Sequence, residues 1–166
     1  MFATVESMLL ADRLGWSEVA VCDLWAGSGA VALEAWSRGA LRVLAVDKSP
    51  SAATVIEANA QNLAAQHVDV KRANVATLVA APPPGGPFDV LFADPPYEYG
   101  DASLSTDLAA ALASGWLRPG AIVVVERSSR SASPFPVDIR EVRQRSYGDS
   151  ALWYGRAPDE REASPS

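Results

Sequence analysis

Short apolar runs alternate with longer stretches of helical period along almost the whole chain, the pattern of a mostly parallel sheet covered by helices on both faces. Phe2, Val5, Met8 and Leu9 recur at helical spacing and predict a helix over Phe2 to Leu14. Val19 to Leu24 reads as a buried strand that ends in the glycine turn Ala26-Gly27-Ser28-Gly29. A helix through Arg38 follows, closed by Gly39. Arg42 to Val46 is the next strand, ended by Asp47. Ser49-Pro50 then opens a run of good helix formers to Ala65, proline being tolerated in a first helical turn. Val68 to Lys71 is a third short strand.

Pro82-Pro83-Pro84-Gly85-Gly86-Pro87 is a breaker cluster that predicts a loop, and it delivers the chain into the apolar strand Phe88 to Ala93. Asp94 sits at the carboxyl end of that strand. A helix over Ser103 to Ser114, a turn at Arg118-Pro119-Gly120 and the β-branched run Ala121 to Glu126 follow. Ile139 to Tyr147 and Ala151 to Arg156 read as an antiparallel pair around Gly148-Asp149. The polar residues beyond predict a disordered tail over 157–166, after a single domain over 1–156.

Composition narrows this picture. A chain of 166 residues that is 49% hydrophobic can build one substantial core without disulfides or structural metal. Cys22 is the single cysteine and His67 the single histidine, so no internal disulfide and no zinc-ligand spacing exist; a reducing cytoplasm and no metal are expected. No run approaches the roughly 18 apolar residues of a membrane span, and the first ten residues carry Glu6 rather than a basic lead. No extra apolar stripe remains, so a monomer is expected. The formal charge of −6 opposes sequence-independent binding to a polyanion. Yet Arg127, Arg130, Arg140, Arg143 and Arg145 face only Asp138 and Glu141 in the same stretch, which leaves either a local basic rim or a solvated mixed surface.

Chemistry concentrates at two strand ends. Asp23-Leu24-Trp25-Ala26-Gly27-Ser28-Gly29 lies between a strand and a helix, and Asp47 ends the next strand. Glycines let the backbone turn tightly and approach a ligand, while an acidic tip can accept the hydroxyl hydrogens of a ribose. A nucleoside-containing cofactor is implied. Gly27-x-Gly29-x-x-Ala32 with Asp47 also satisfies the dinucleotide fingerprint, so this motif alone leaves a nicotinamide-dependent oxidoreductase open.

The second element, Asp94-Pro95-Pro96-Tyr97, favours methyl transfer. Two prolines after a buried strand fix an extended turn whose carbonyls are not drawn into helix hydrogen bonding. The Asp94 carboxylate and Pro95 carbonyl can hold the two hydrogens of an amino group, aligning its nitrogen with an electrophilic methyl. Tyr97 offers a flat face for a base.

Over nearly all of Phe2 to Arg156 the chain resembles the 16S ribosomal RNA guanine-N2 methyltransferases of the RsmD type. The resemblance is carried by Asp23 to Ala30 running into Leu33-Glu34-Ala35-Trp36-Ser37-Arg38-Gly39-Ala40, by Asp47, by Ala73-Asn74-Val75, by Asp94 to Tyr97, and by Val125-Glu126-Arg127 with Tyr147-Gly148-Asp149. It implies a class I, Rossmann-like methyltransferase fold, α/β, with seven strands and the last antiparallel. It further implies S-adenosyl-L-methionine (SAM) as cofactor, and 16S rRNA or a small-subunit assembly intermediate as partner. Carried onto this sequence, Ala26, Gly27, Ser28 and Gly29 would approach the methionine and ribose, and Asp47 would hold the ribose hydroxyls. Asn74-Val75 would meet the adenine, though Asn74 reads equally well as a helix cap. Asp94, Pro95, Pro96 and Tyr97 would handle the guanine. Asp23 would orient the glycine turn or reach the methionine ammonium, and Lys48 either flanks the cofactor or is simply exposed. His67 is expected at the surface.

Members of that family usually carry a basic N-terminal extension ahead of the segment equivalent to Phe2. The expected function is guanine-N2 methylation of 16S rRNA, with methylation of another base's amine in DNA or RNA, a nicotinamide-dependent oxidoreductase and a SAM-binding remnant inactive without such an extension as alternatives.

Overall fold

The computed structural model describes residues 1–160. Its strands are β1 (Ala20–Leu24), β2 (Arg42–Asp47), β3 (Val68–Arg72), β4 (Phe88–Ala93), β5 (Leu117–Ser128), β6 (Arg140–Tyr147) and β7 (Ser150–Arg156). Its helices are α1 (Phe2–Ala11), α2 (Ala30–Ser37), α3 (Pro50–Asn62), α4 (Val75–Val79) and α5 (Asp101–Ala113). The seven strands form one sheet in the order β3-β2-β1-β4-β5-β7-β6. β1 to β5 pair in parallel, and β7 alone runs against both of its neighbours.

Strand alternation divides the core into two layers. Ala20, Cys22 and Leu24 of β1, with Leu91 and Ala93 of β4, pack with Val75 and Val79 of α4 and Leu104, Leu108 and Ala111 of α5. Val21, Val90 and Phe92 point the other way, onto Val5 and Leu9 of α1, Ala32 and Ala35 of α2, and Ile56 of α3. Strands covered on both sides read as continuous apolar runs, which is why β1 and β4 were legible in the sequence. Chain order reverses between β1 and β4. In an open parallel sheet this opens a crevice at the carboxyl ends of the strands.

The structure revises three expectations. α1 ends at Ala11 rather than Leu14, because Arg13 takes a left-handed φ of 62° and turns the chain into a 3₁₀ turn at Trp16–Glu18. The turn expected at Arg118-Pro119-Gly120 is instead a bulge inside β5. Leu117 pairs with Phe88, and pairing resumes only at Ile122 with Val90. Pro119 has no N–H for the ladder, and Gly120, at φ +73°, turns its N–H out to the Pro158 carbonyl at 3.1 Å. The third revision is α4, a single five-residue helix on which the sequence marked only its cap, Asn74.

Packing continues to Ala157, which is buried and donates its N–H to Ala121 O at 2.9 Å. Residues 161–166 of the expected tail lie outside the described residues. Among the described residues no helix is long and apolar enough to cross a membrane.

Candidate active site

The turn after β1 is built around left-handed backbone. Trp25 has φ +57°, Gly27 φ +57° and Gly29 φ +81°. The two glycines serve different ends. A Cβ on Gly27 would meet nothing within 4 Å, so this residue faces open space at the strand tips. A Cβ on Gly29 would lie 2.9 Å from Ile56, so Gly29, which is buried, is what lets α2 start against α3. Gly29 therefore stands behind the cleft wall rather than in it.

Asp47 closes this half of the site. Its Oδ2 accepts the Gly27 N–H at 2.9 Å and its Oδ1 the Ser49 N–H at 2.9 Å, tying the loop after β1 to the loop after β2. Beneath, Asp23 is buried, and its Oδ2 accepts the N–H of Ala32 in the first turn of α2 at 3.2 Å. That bond places a carboxylate where a helix N-terminus favours it. Desolvation outweighs this hydrogen bond, and the charges of Asp94 and Asp47 add to it, so the Asp23 carboxyl is pushed up to about 7.

The other half follows β4. Asp94 projects from the strand end, and its carboxyl is pushed up to about 6 by desolvation in the cleft and by Glu126, with Arg127 opposing. Arg127 is buried and grips the turn from below. Its Nη1 reaches Pro96 O at 3.4 Å, its Nη2 reaches Tyr99 O at 2.5 Å, and its Nε and Nη2 hold Asp101 Oδ1 at 2.9 and 2.8 Å. Such charge-assisted contacts from one guanidinium fix a loop more firmly than separate side chains could. Tyr99 donates its hydroxyl to Asp107 and sets its ring edge-on to Trp25, centroids 5.2 Å apart. The two halves therefore touch through an aromatic pair.

Together these elements enclose a cleft of about 570 Å³. The first loop contributes Asp23, Ala26, Gly27 and Ser28, the second Asp47 and Lys48, and the third all four of Asp94, Pro95, Pro96 and Tyr97. Tyr97 is largely exposed, its ring free at the mouth. Asn74 and Val75 are not in the lining. The Asn74 oxygen accepts the Thr77 N–H at 3.1 Å as the cap of α4, and Val75 is in the core. His67 is exposed, away from the cleft. Sequence reasoning assigned no role to Glu126, Ser128 or Ser150 and counted Arg127 only toward a local basic rim; Arg127 is instead buried on Asp101, and these four residues close the far wall from β5 and β7. Glu126-Arg127 was visible as a motif, but its place depends on which strand lies beside β4. Among the described residues no cluster of potential metal ligands occurs.

A β3-β2-β1-β4-β5-β7-β6 sheet with this cleft at its switch point defines a class I methyltransferase fold. The family model described as conserved hypothetical protein 95 matches residues 4–156, and the chain belongs to that family, the RsmD type. The ribosomal RNA small subunit methyltransferase D of Haemophilus influenzae is 31% identical over 106 residues, 63% of this chain and 54% of that protein. The release factor glutamine methyltransferase of Mycobacterium leprae is 31% identical over 153 residues, 76% of this chain and 51% of that protein. A solved structure of a putative methylase from Haemophilus influenzae superposes with a TM-score of 0.79 at 22% identity, covering 92% of this chain and 96% of that one. The chain spans about half the length of the curated relatives it matches.

Proposed function

We propose that this chain, as one unit over residues 1–156, is a SAM-dependent methyltransferase that modifies the exocyclic N2 amine of a guanine in small-subunit ribosomal RNA. The observation that carries this reading is the convergence of the Gly27–Asp47 pair and the Asp94–Tyr97 turn on one cleft, large enough for a nucleoside cofactor with an acceptor beside it. The residues present fit the cofactor. Open space lies above Gly27, Asp47 offers an acidic tip to ribose hydroxyls, and the buried carboxylate of Asp23 would serve as a counter-charge for an ammonium. The names of the ribosomal RNA methyltransferase relatives supply the acceptor class.

When bound, SAM supplies an electrophilic methyl on a positive sulfonium. The chain's part is positioning. Asp94 and the Pro95 carbonyl accept the two amine hydrogens, directing the nitrogen lone pair into the cleft, and Tyr97 lies against the base. Asp47, whose two oxygens each accept one backbone N–H, would accept the ribose hydroxyls on their remaining lone pairs. The Asn74 oxygen is committed to the α4 cap, which leaves its amide nitrogen for an adenine edge. Lys48, exposed at the rim, would flank the cofactor.

Calorimetry with S-adenosylhomocysteine and, separately, NAD tests the cofactor; binding of NAD alone would overturn the proposal. Nucleoside mass analysis after incubation with SAM and small-subunit rRNA tests the acceptor. N2-methylguanosine is expected, a methylated adenine or cytosine would move the acceptor to another base, and methylation confined to an added release factor would move it to a protein amide. Asp94→Ala should abolish transfer while S-adenosylhomocysteine affinity stays nearly unchanged; equal loss of both would remove Asp94 from the acceptor side.

A further inference from the structure

The outer edge of the sheet carries a feature the site does not use. Every residue of β6 is exposed, and the strand ends the sheet with no partner beyond it among the described residues. Its pairing with β7 slips between Glu141 and Arg143. A bulge of this kind resets the two-residue alternation of side chains. Before it, Arg140 lies opposite Arg156; after it, Arg143 lies opposite Tyr154, Arg145 opposite Leu152 and Tyr147 opposite Ser150. Directly paired residues share a face, and Tyr154 and Leu152 belong to the layer of α1, α2 and α3.

The bulge thus places Arg140, Arg143, Arg145 and Tyr147 on one side. Glu141, the strand's acidic residue, points to the other. The row climbs toward the cleft, because Tyr147 pairs with Ser150, Ser150 pairs with Ser128, and both serines line it. Arg130, exposed in the loop after β5, stands beyond that end. Among the described residues, none of these four arginines makes an ion pair or a side-chain hydrogen bond. All this occurs on a chain of net charge −6, which elsewhere repels polyanions.

We infer that this edge is a track for the phosphate backbone of an RNA strand flanking the target nucleotide, with Tyr147 as a stacking platform at the rim of the cleft. The inference rests on the RNA reading of the acceptor. Arg143 and Arg145, two residues apart, stand roughly 7 Å from one another, with Arg140 beyond the bulge and Tyr147 two residues on, a row that follows an extended chain of phosphates rather than a single anion. Their guanidinium groups are free to pair, and no desolvated partner has to be displaced.

The test uses the 166-residue chain and a labelled single-stranded RNA oligonucleotide drawn from small-subunit rRNA, titrated at several salt concentrations. The double variant Arg143→Glu, Arg145→Glu should bind it roughly 10–100-fold more weakly at low salt. The slope of log affinity against log salt should flatten by about 1.4, the loss of two single-strand phosphate contacts. Arg143→Lys, Arg145→Lys should keep the slope, and Tyr147→Ala should weaken binding with the slope unchanged. S-adenosylhomocysteine affinity should be the same in all, which separates this proposal from the cofactor reading. If the charge reversal disturbs the hairpin, Arg143→Gln, Arg145→Gln takes its place, with the same flattening expected. Unchanged RNA affinity and slope would overturn the track. So would a wild type that binds S-adenosylhomocysteine but binds RNA no better than the variants, and capture of an acidic protein through these arginines would reassign the face to that partner.

Discussion

Single residues separate function from packing most sharply at the two turn glycines. Gly27 and Gly29 share a left-handed backbone and a motif, yet only Gly29 has a neighbour where a side chain would go. Gly29→Ala should therefore cost roughly 2–4 kcal/mol of stability, backbone strain plus displacement of Ile56, and adding Ile56→Ala should cost less than the two single effects combined. Gly27→Ala should cost only about 1 kcal/mol, the strain alone, while weakening S-adenosylhomocysteine because the new methyl stands over the loop that faces the cleft. Urea unfolding and calorimetry on the same two variants check both halves of the contrast. A Gly29 variant of wild-type stability would remove the packing role.

At the level of elements, the 94–101 turn is held from β5 as well as by its own prolines. Arg127 meets Pro96, Tyr99 and Asp101 at once, so Arg127→Met should loosen the whole turn. The expected result is a fall in kcat on the order of 10–100-fold with S-adenosylhomocysteine affinity nearly kept, and partial recovery in Arg127→Lys. A parallel loss of cofactor affinity would instead mean that the effect spreads through Tyr99 and Trp25. This element also marks the limit of what was legible in the sequence. Both strand-end motifs, Asp23 to Gly29 and Asp94 to Tyr97, were readable because buried parallel strands are continuous apolar runs that stop at their chemistry. The far wall was not, since Glu126, Arg127 and Ser150 reach the cleft only through the order β4-β5-β7, which no local pattern encodes. The β5 bulge was read as a turn for the same reason: Arg118-Pro119-Gly120 carries turn chemistry, and only pairing across Phe88 to Val90 keeps it in the strand. α4 escaped because five residues, two of them valine and one threonine, make too short and too β-branched a window to show a helical period.

For the molecule as a whole, two raised carboxylates in one cleft couple folding and activity to pH in opposite senses. Asp23 titrates at about 7 in the folded chain against 3.8 when free, so between those values the folded state holds the extra proton. Stability must then decline as pH rises from about 4 to 7 and level off above, where Asp23 is charged in both states. Asp23→Asn keeps an oxygen for the Ala32 N–H but removes the buried charge. It should remove the Asp23 part of that decline, leaving the smaller part that Asp94 contributes between about pH 4 and 6, and stabilise the chain at pH 8 by roughly 1–4 kcal/mol, measured as the urea midpoint across pH. Binding should run the other way. With Asp23 as the proposed counter-charge for the ammonium of the cofactor product, S-adenosylhomocysteine affinity should fall as pH drops below about 7 in the wild type and be weak and pH-independent in Asp23→Asn. At saturating SAM the remaining titration is that of Asp94; under the proposed acceptor role its carboxylate accepts amine hydrogens more strongly when ionised and the protonated form turns one oxygen into a donor, so transfer should fall as pH drops through about 6. A variant both more stable and fully able to bind would show that the buried charge serves neither purpose. A more stable variant that binds poorly would show that this fold keeps an unfavourable carboxylate because its ligand needs one.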